Sequence, residues 1–245
     1  MRLDQYLFIN GFCDSRTKSQ KIIKDGRVSV NGKCITKVSF EISDSDDVKI
    51  SKSADYEFVG RGGYKLEHAF SQFSVTAKDK ICVDIGASTG GFTECLLLYG
   101  AKKVYAVDSG TNQLSSRLKN NPRVISMEGF NARGLTSEHI DSNKADIIVM
   151  DVSFISQKLL YPAILNISNC GADIITLIKP QFEAGKQHLG KHGIVKDEKI
   201  RHKVVEDIIN YAVEFGFEYV SHCQSPIKGG DGNTEYLLHL KTKTV

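Results

Sequence analysis

The chain has 245 residues, 41% hydrophobic and 25% charged, with a formal net charge of +3. This composition is ordinary for a globular protein and excludes a disordered or fibrous chain. The small net charge identifies no partner, and no apolar run approaches the roughly 20 residues needed to span a bilayer.

In chain order, Arg2 and Asp4 stand where a secretory signal would need a long apolar region, so a cytoplasmic location is expected. Leu3, Tyr6, Leu7 and Ile9 predict a short helix that stops at Asn10-Gly11. Ser15 is the predicted cap of a second helix running to Asp25, with Ile22 and Ile23 turned inward. Arg2, Arg16, Lys18, Lys21, Lys24 and Arg27 give this end a local excess of positive charge. Such clustering is the usual footprint of nucleic-acid binding, with a solvated helix face as the alternative. Val28-Ser29-Val30 then runs into Asn31-Gly32, the strongest short-range hairpin signal. Residues 43–57, rich in Asp and Ser, are weakly patterned and read as a linker region. The expected division is a small α+β domain over 1–52, a linker over 53–58 and a second domain over 59–245.

From Lys80 the pattern changes. Short apolar or β-branched runs at Ile81–Ile85, Lys103–Val107, Val124–Met127, Asp146–Met150 and Asp173–Ile178 are separated by helix-length segments. Alternation of that kind predicts an α/β domain, a mostly parallel sheet with helices on both faces. Phe217–His222 and Glu235–Leu240 have only the loop 225–234 between them, too short for a helical crossover, so they predict an antiparallel pair at the end of the sheet. The six cysteines are scattered with no Cys-x-x-Cys pair, which argues against a disulfide framework or a zinc site. Cys82 and Cys95 sit in apolar segments as small hydrophobes.

The sharpest local motif is Val83-Asp84-Ile85-Gly86-Ala87-Ser88-Thr89-Gly90-Gly91-Phe92-Thr93, which leaves the first of these strands and enters a helix. Glycine permits close approach of backbone to a ligand, and the N–H groups opening a helix favour an anion. The spacing is not the G-x-G-x-x-G of dinucleotide enzymes, so a nicotinamide oxidoreductase is disfavoured. The longer polar loop suits a ligand with only a carboxylate to place. Asp108, after the next strand, stands where an acid accepts hydrogen bonds from ribose hydroxyls. Asn131, after the third, is an adenine neighbour by position alone. Together these residues point to a nucleoside ligand.

Four further polar residues lie at or facing the strand ends: Lys65, Asp151, Lys179 and Glu235. Taken singly, each has a structural explanation: a solvated lysine, a helix cap near Ile155, a turn residue before Pro180, and a guard on an edge strand. Their settings are Arg61-Gly-Gly-Tyr-Lys65, Val-Met-Asp151-Val-Ser, Leu-Ile-Lys179-Pro-Gln-Phe and Asn-Thr-Glu235-Tyr. In order and setting these resemble the Lys-Asp-Lys-Glu tetrad of FtsJ-like RNA 2′-O-methyltransferases, and the 86–91 loop resembles their cofactor motif. Arg-Leu-Asp-Gln-Tyr-Leu at the start, Ser15-Arg16, and Asp-Gly-Arg27-Val-Ser-Val-Asn-Gly resemble an S4 RNA-binding domain. That fusion is similar to the TlyA family, ribosomal RNA cytidine 2′-O-methyltransferases that also carry the name haemolysin.

The resemblance implies a class I, Rossmann-like domain with a seven-stranded sheet and S-adenosyl-L-methionine as methyl donor. It also implies ribosomal RNA as partner, with Arg61 joining the six basic residues above in holding it. Lys179 would be the base, Asp151 would orient Lys65 or Lys179, and Glu235 would hold the lysines and the ribose in line. A ribose hydroxyl is a poor nucleophile and needs both a base and an aligned donor. A lysine of ordinary pKa, about 10.4, is protonated at neutral pH, so this chemistry calls for a second cation and partial desolvation. Longer members of the family, which methylate both ribosomal subunits, carry extra segments at both ends. Here the S4-like pattern starts at Arg2 and the chain stops soon after its last strand, so large-subunit 23S RNA is the expected substrate. A non-enzymatic RNA-binding protein and a membrane-lytic protein are the other classes. His188 and His192 have i, i+4 spacing but no third ligand, so no metal is expected, and the loop 183–193 with Lys186 and Lys191 is expected to meet RNA.

Overall fold

The computed structural model describes residues 1–12, 16–24, 28–43, 46–50, 58–229 and 232–243. The chain divides into two units, Met1–Glu57 and Phe58–Val245.

In the first unit, α1 (Leu3–Ile9) and α2 (Arg16–Lys24) pack beside a three-stranded antiparallel sheet of β1 (Val28–Val30), β2 (Lys33–Ile35) and β3 (Val48–Ile50), in the order β2-β1-β3. Leu3, Leu7, Ile22, Ile23, Val28, Val30 and Ile42 form the core. The helix end expected at Asn10 is present, and the Asn10 side chain donates to the Tyr6 carbonyl at 3.0 Å. Ser15, Asp25 and Arg27 lie outside the described residues. Asn31 and Gly32 both have left-handed φ, 51° and 78°, as the two-residue hairpin turn requires. The 43–57 stretch does not read correctly as linker throughout, because it contributes β3. Three residues are too few for periodicity to register, and the strand exists because β1 offers an edge. Asn31 also fixes the approach: its Nδ2 donates to Asp46 at 2.7 Å, and its Oδ1 accepts the Asp47 N–H at 2.9 Å.

The second unit starts with α3 (Gly62–Phe73) and continues through β4 (Ile81–Ile85), α4 (Gly91–Leu98), β5 (Lys103–Asp108), α5 (Ser116–Lys119) and β6 (Val124–Glu128). Then come β7 (Ala145–Met150), α6 (Tyr161–Ile167), β8 (Ser168–Ile178), α7 (Pro180–Glu183), α8 (Glu198–Phe215), β9 (Phe217–Gln224) and β10 (Tyr236–Thr242). The sheet order is β6-β5-β4-β7-β8-β10-β9, with β10 antiparallel to both its neighbours and the other pairs parallel. The expected doubly wound sheet and the antiparallel tail are therefore both present. Period-two alternation divides each strand between two cores. Val83, Ile85, Ile148, Met150, Ile174 and Leu238 pack against Ile164 of α6 and Val205, Ile208 and Ala212 of α8. On the opposite face α3 and α4 bury Leu66, Ala69, Phe70, Phe92, Cys95 and Leu96. Burial of this kind is worth about 25 cal/mol per Å² of apolar surface, and it makes the sheet a rigid platform.

Among the described residues, no helix is long and apolar enough to cross a membrane.

Candidate active site

The candidate cleft grows out of the end of β4. Gly86 takes φ 85°, and a Cβ there would stand 2.5 Å from the Asp151 carbonyl oxygen. Only glycine lets the loop pass that close to the β7 end. At the far end of the loop, a Cβ on Gly91 would lie 2.9 Å from both the Gly60 oxygen and the Gly63 nitrogen. The lead-in to α3 thus lies directly on the start of α4. Buried Glu94 of α4 secures it by accepting the Val59 N–H at 2.6 Å and pairing with Arg117.

Asp84 is fully buried beneath the loop and lines neither of the cavities described next. One of its oxygens accepts the Thr93 hydroxyl at 2.7 Å and the other has no partner among the described residues. Burial pushes its pKa up to about 7, with the nearby Asp151 and Asp108 charges adding to the effect against the Thr93 hydrogen bonds.

Two cavities flank the loop. One, of about 320 Å³, is lined by Ala87, Thr89, Gly91 and Phe92 together with Arg61, Lys65 and Lys228. The other, of about 460 Å³, is lined by Val107, Asp108, Gln113, Phe130 and Asn131 and by the 151–155 segment. Gly86, Ser88 and Asp151 border both. Asp108 already accepts the Ser88 and Gly110 N–H groups, each at 2.7 Å, which locks the loop to the end of β5. Each carboxylate oxygen retains a second lone pair for a ligand hydroxyl. Asn131 caps a 3₁₀ turn by accepting the Arg133 N–H at 3.1 Å. Gly90 lines neither cavity and serves as the N-cap of α4.

The four charged residues singled out from sequence come together. Lys65 projects from the first turn of α3, Asp151 follows β7, Lys179 follows β8, and Glu235 precedes β10. Because β10 runs antiparallel to β8, its start lies beside the end of β8, which brings residues 56 positions apart into one cluster. Lys65 Nζ donates to Glu235 Oε2 at 2.6 Å and lies 3.9 Å from Asp151 Oδ2. Lys179 Nζ is paired with Asp151 Oδ1 at 2.5 Å. Asp151 therefore bridges the two lysines. Lys65 is 7% exposed and Glu235 2%, so neither the solvated-lysine nor the edge-guard explanation holds. Asp151 caps no helix, since Ser156 caps the 3₁₀ turn that starts at Gln157.

Sequence reasoning missed several neighbours. Ser153 accepts from Lys179 Nζ at 2.8 Å, and Gln181 Nε2 donates to Glu235 Oε1 at 3.3 Å. Their one available signal was position, each two residues beyond a tetrad member. Lys228 on the small cavity and Phe130 on the large one left no pattern at all.

The basic residues of the first unit divide differently. Arg2 Nε and Arg16 Nε both donate to the fully buried carboxylate of Asp4, at 3.0 and 2.8 Å, and Gln20 adds a third donor at 2.9 Å. Arg16 and Gln20 thus tie α2 to α1, Arg2 braces Asp4 from the N-cap of α1, and both arginines remain about half exposed. Lys24 is exposed; the side chains of Lys18 and Lys21 lie outside the described set. His188 and His192 belong to separate 3₁₀ turns, with His192 at φ 64°, so their helical spacing has no helix behind it.

Comparison with known proteins agrees with this architecture. The FtsJ-like methyltransferase family model matches residues 58–242 and the S4 domain model residues 1–48. Hemolysin A of Brachyspira hyodysenteriae is 46% identical over 98% of this chain and 99% of its own. The 16S/23S rRNA (cytidine-2′-O)-methyltransferase TlyA of Mycobacterium tuberculosis is 40% identical over 99% of this chain and 90% of its own. The 23S rRNA (cytidine-2′-O)-methyltransferase TlyA of Campylobacter jejuni is 34% identical over 92% and 93%. The solved structure of a candidate hemolysin from Streptococcus thermophilus superposes with a TM-score of 0.76 at 40% identity, covering 99% of this chain and 88% of that one. With its tetrad, its loop and this breadth of similarity, the chain belongs to the TlyA family, an S4 domain joined to an FtsJ-like methyltransferase domain.

Proposed function

We propose that the chain transfers a methyl group from S-adenosyl-L-methionine to the ribose 2′-oxygen of a cytidine in 23S ribosomal RNA. The observation that carries this reading is the Lys65–Asp151–Lys179 bridge at a border common to both cavities. The donor fits the residues present. The Gly86 cradle would be filled by any Cβ, Asp108 suits ribose hydroxyls, and the amides opening α4 suit a carboxylate.

Lys179, in its neutral form, accepts the proton of the 2′-hydroxyl. Asp151 holds Lys179 in place, and the Lys65–Glu235 pair fixes Asp151 from the other side. When bound, S-adenosyl-L-methionine supplies a methyl group on a sulfonium whose positive charge is lost on transfer, while the proton gained by Lys179 keeps a cation beside Asp151. The work of the site is orientation and charge placement.

RNA as substrate is supported by the S4 match and by the activities for which the TlyA relatives are named. Both of those names include 23S RNA and one includes 16S RNA, so the shared substrate is the one proposed. The name Hemolysin A points elsewhere, but a charged tetrad on a nucleoside-sized cleft serves group transfer. The test is transfer of labelled methyl groups to purified large and small ribosomal subunits, followed by mapping of the modified nucleotide. Label on one 23S cytidine ribose, lost in Lys179→Ala, is expected. Label on 16S RNA would overturn the subunit assignment, and no label on either RNA would overturn the activity.

A further inference from the structure

We infer that Ser153 is a positioning residue that aims the lone pair of Lys179 at the hydroxyl being methylated; this rests on Lys179 being the base, as proposed above. Lys179 Nζ has two polar neighbours among the described residues, Asp151 Oδ1 at 2.5 Å and Ser153 Oγ at 2.8 Å. An ammonium has three N–H donors and no acceptor. Once it has lost a proton, the same tetrahedral nitrogen has two N–H bonds and one lone pair. The hydrogen bond to Ser153 Oγ fixes one N–H direction, the Asp151 carboxylate, in ion-pair contact, attracts the second, and the remaining direction is left to the lone pair. With Asp151 alone, rotation about Cε–Nζ lets the lone pair and the second N–H exchange places. The hydroxyl of Ser153 removes that freedom.

The placement of Ser153 is fixed by backbone. The Asp151 N–H donates to the Ile85 carbonyl at 3.0 Å, which anchors this segment to the end of β4. Phe154, next in the chain, takes φ 63°, a conformation bulky residues rarely adopt, and so turns the chain immediately after Ser153. Ser153 and Asp151 both line the larger cavity, so the amine they hold sits at its edge. The Phe182 ring, with its centroid 5.8 Å from Nζ, flanks the amine as well. Ser153 is itself exposed and packs into no core, so its replacement leaves the fold intact.

The test uses the full chain with purified large ribosomal subunits as methyl acceptor, comparing wild type, Ser153→Ala, Ser153→Thr and Lys179→Ala. Misplacing a reacting group by about 1 Å can cost about a hundredfold in rate. Ser153→Ala is accordingly expected to lower kcat by about tenfold or more, with KM for the subunit and Kd for S-adenosyl-L-methionine within about twofold of wild type. Ser153→Thr, which restores the oxygen, should recover kcat to within about threefold of wild type. Wild-type kcat in Ser153→Ala, or Ser153→Thr as impaired as Ser153→Ala, would overturn the inference, the second because space rather than the hydroxyl would then matter. Activity retained in Lys179→Ala would instead sink the base assignment, so the two failures are told apart.

Discussion

Lys65 and Glu235 form a buried ion pair whose worth lies in mutual need. With Glu235 2% exposed and its partner 2.6 Å away, removing the lysine strands a carboxylate out of reach of bulk water. Breaking such a pair costs about 3 to 5 kcal/mol, whereas replacing both members by neutral groups of similar shape costs far less. Lys65→Met should therefore lower the unfolding free energy by about 3 kcal/mol, and the double variant Lys65→Met, Glu235→Gln should recover most of it. Urea unfolding monitored by circular dichroism checks this, and equal instability of the single and double variants would count against it.

Asp84 gives a pH signature of opposite sign to an ordinary paired carboxylate. Its folded pKa of about 7 lies above the unfolded value of 3.8, so the folded state prefers the protonated acid. Below about pH 4 both states hold the proton and the group is neutral toward stability. Between about pH 4 and pH 7 the unfolded chain ionises first, and stability is lost as pH rises, until the loss is complete above the folded pKa. Asp84→Asn removes this dependence. Relative to wild type it should gain stability progressively across that window, which denaturant titrations at pH 5 and pH 8 would show. A stability difference that does not change with pH would refute the assignment.

At the scale of elements, the decisive piece is the β4–α4 loop, because it borders both cavities and touches the tetrad through the Asp151 carbonyl. Gly86→Ala forces a side chain into left-handed backbone, worth roughly 1 to 2 kcal/mol, and presses its Cβ on that carbonyl. The loop must shift, and with it the Ser88 segment that borders both cavities. Titration calorimetry should show affinity for S-adenosyl-L-methionine reduced at least about tenfold, equivalent to about 1.4 kcal/mol. A similar logic of shared support holds α1 against α2. Asp4, saturated by Arg2, Arg16 and Gln20, has its pKa held well below the usual carboxylate range although burial alone would raise it. Its stabilisation is present above the unfolded pKa and fades as pH falls toward the folded one.

At the scale of the whole molecule, the basic residues of the first unit serve two purposes that experiment can separate. Arg2 and Arg16 support the fold as well as any RNA contact, so their alanine variants should lower thermal stability along with binding. The lysines of α2 carry the cleaner electrostatic prediction. Replacing Lys18, Lys21 and Lys24 by Ala should weaken binding to large ribosomal subunits and flatten its dependence on salt. Each lost phosphate contact should reduce the slope of log K against log salt by roughly one unit. Filter binding across a salt series measures this directly, and an unchanged slope would leave these lysines as a solvated helix face.

Local patterns made much of this protein legible. Strand-and-helix alternation in 80–240, the glycine-rich turn after Ile85, and the Asn31-Gly32 hairpin each follow from interactions within a few residues, so the chain encodes them one segment at a time. The tetrad was legible only as four separated charges in familiar settings. That Lys65 and Glu235, 170 residues apart, share a hydrogen bond depends on β10 entering antiparallel beside β8, which no local signal encodes. The same holds for β3, a strand made by the neighbour it pairs with, and for the arginines of the first unit, whose charge suggests RNA while their Nε atoms are spent on Asp4. Sequence by itself determined which segments become strands and helices and which residue types stand at their ends, because backbone propensity and burial act locally. Only the tertiary structure decided which charges meet, which carboxylate loses its solvent and which hydroxyl reaches Lys179, because those outcomes depend on how distant segments are brought together by the sheet.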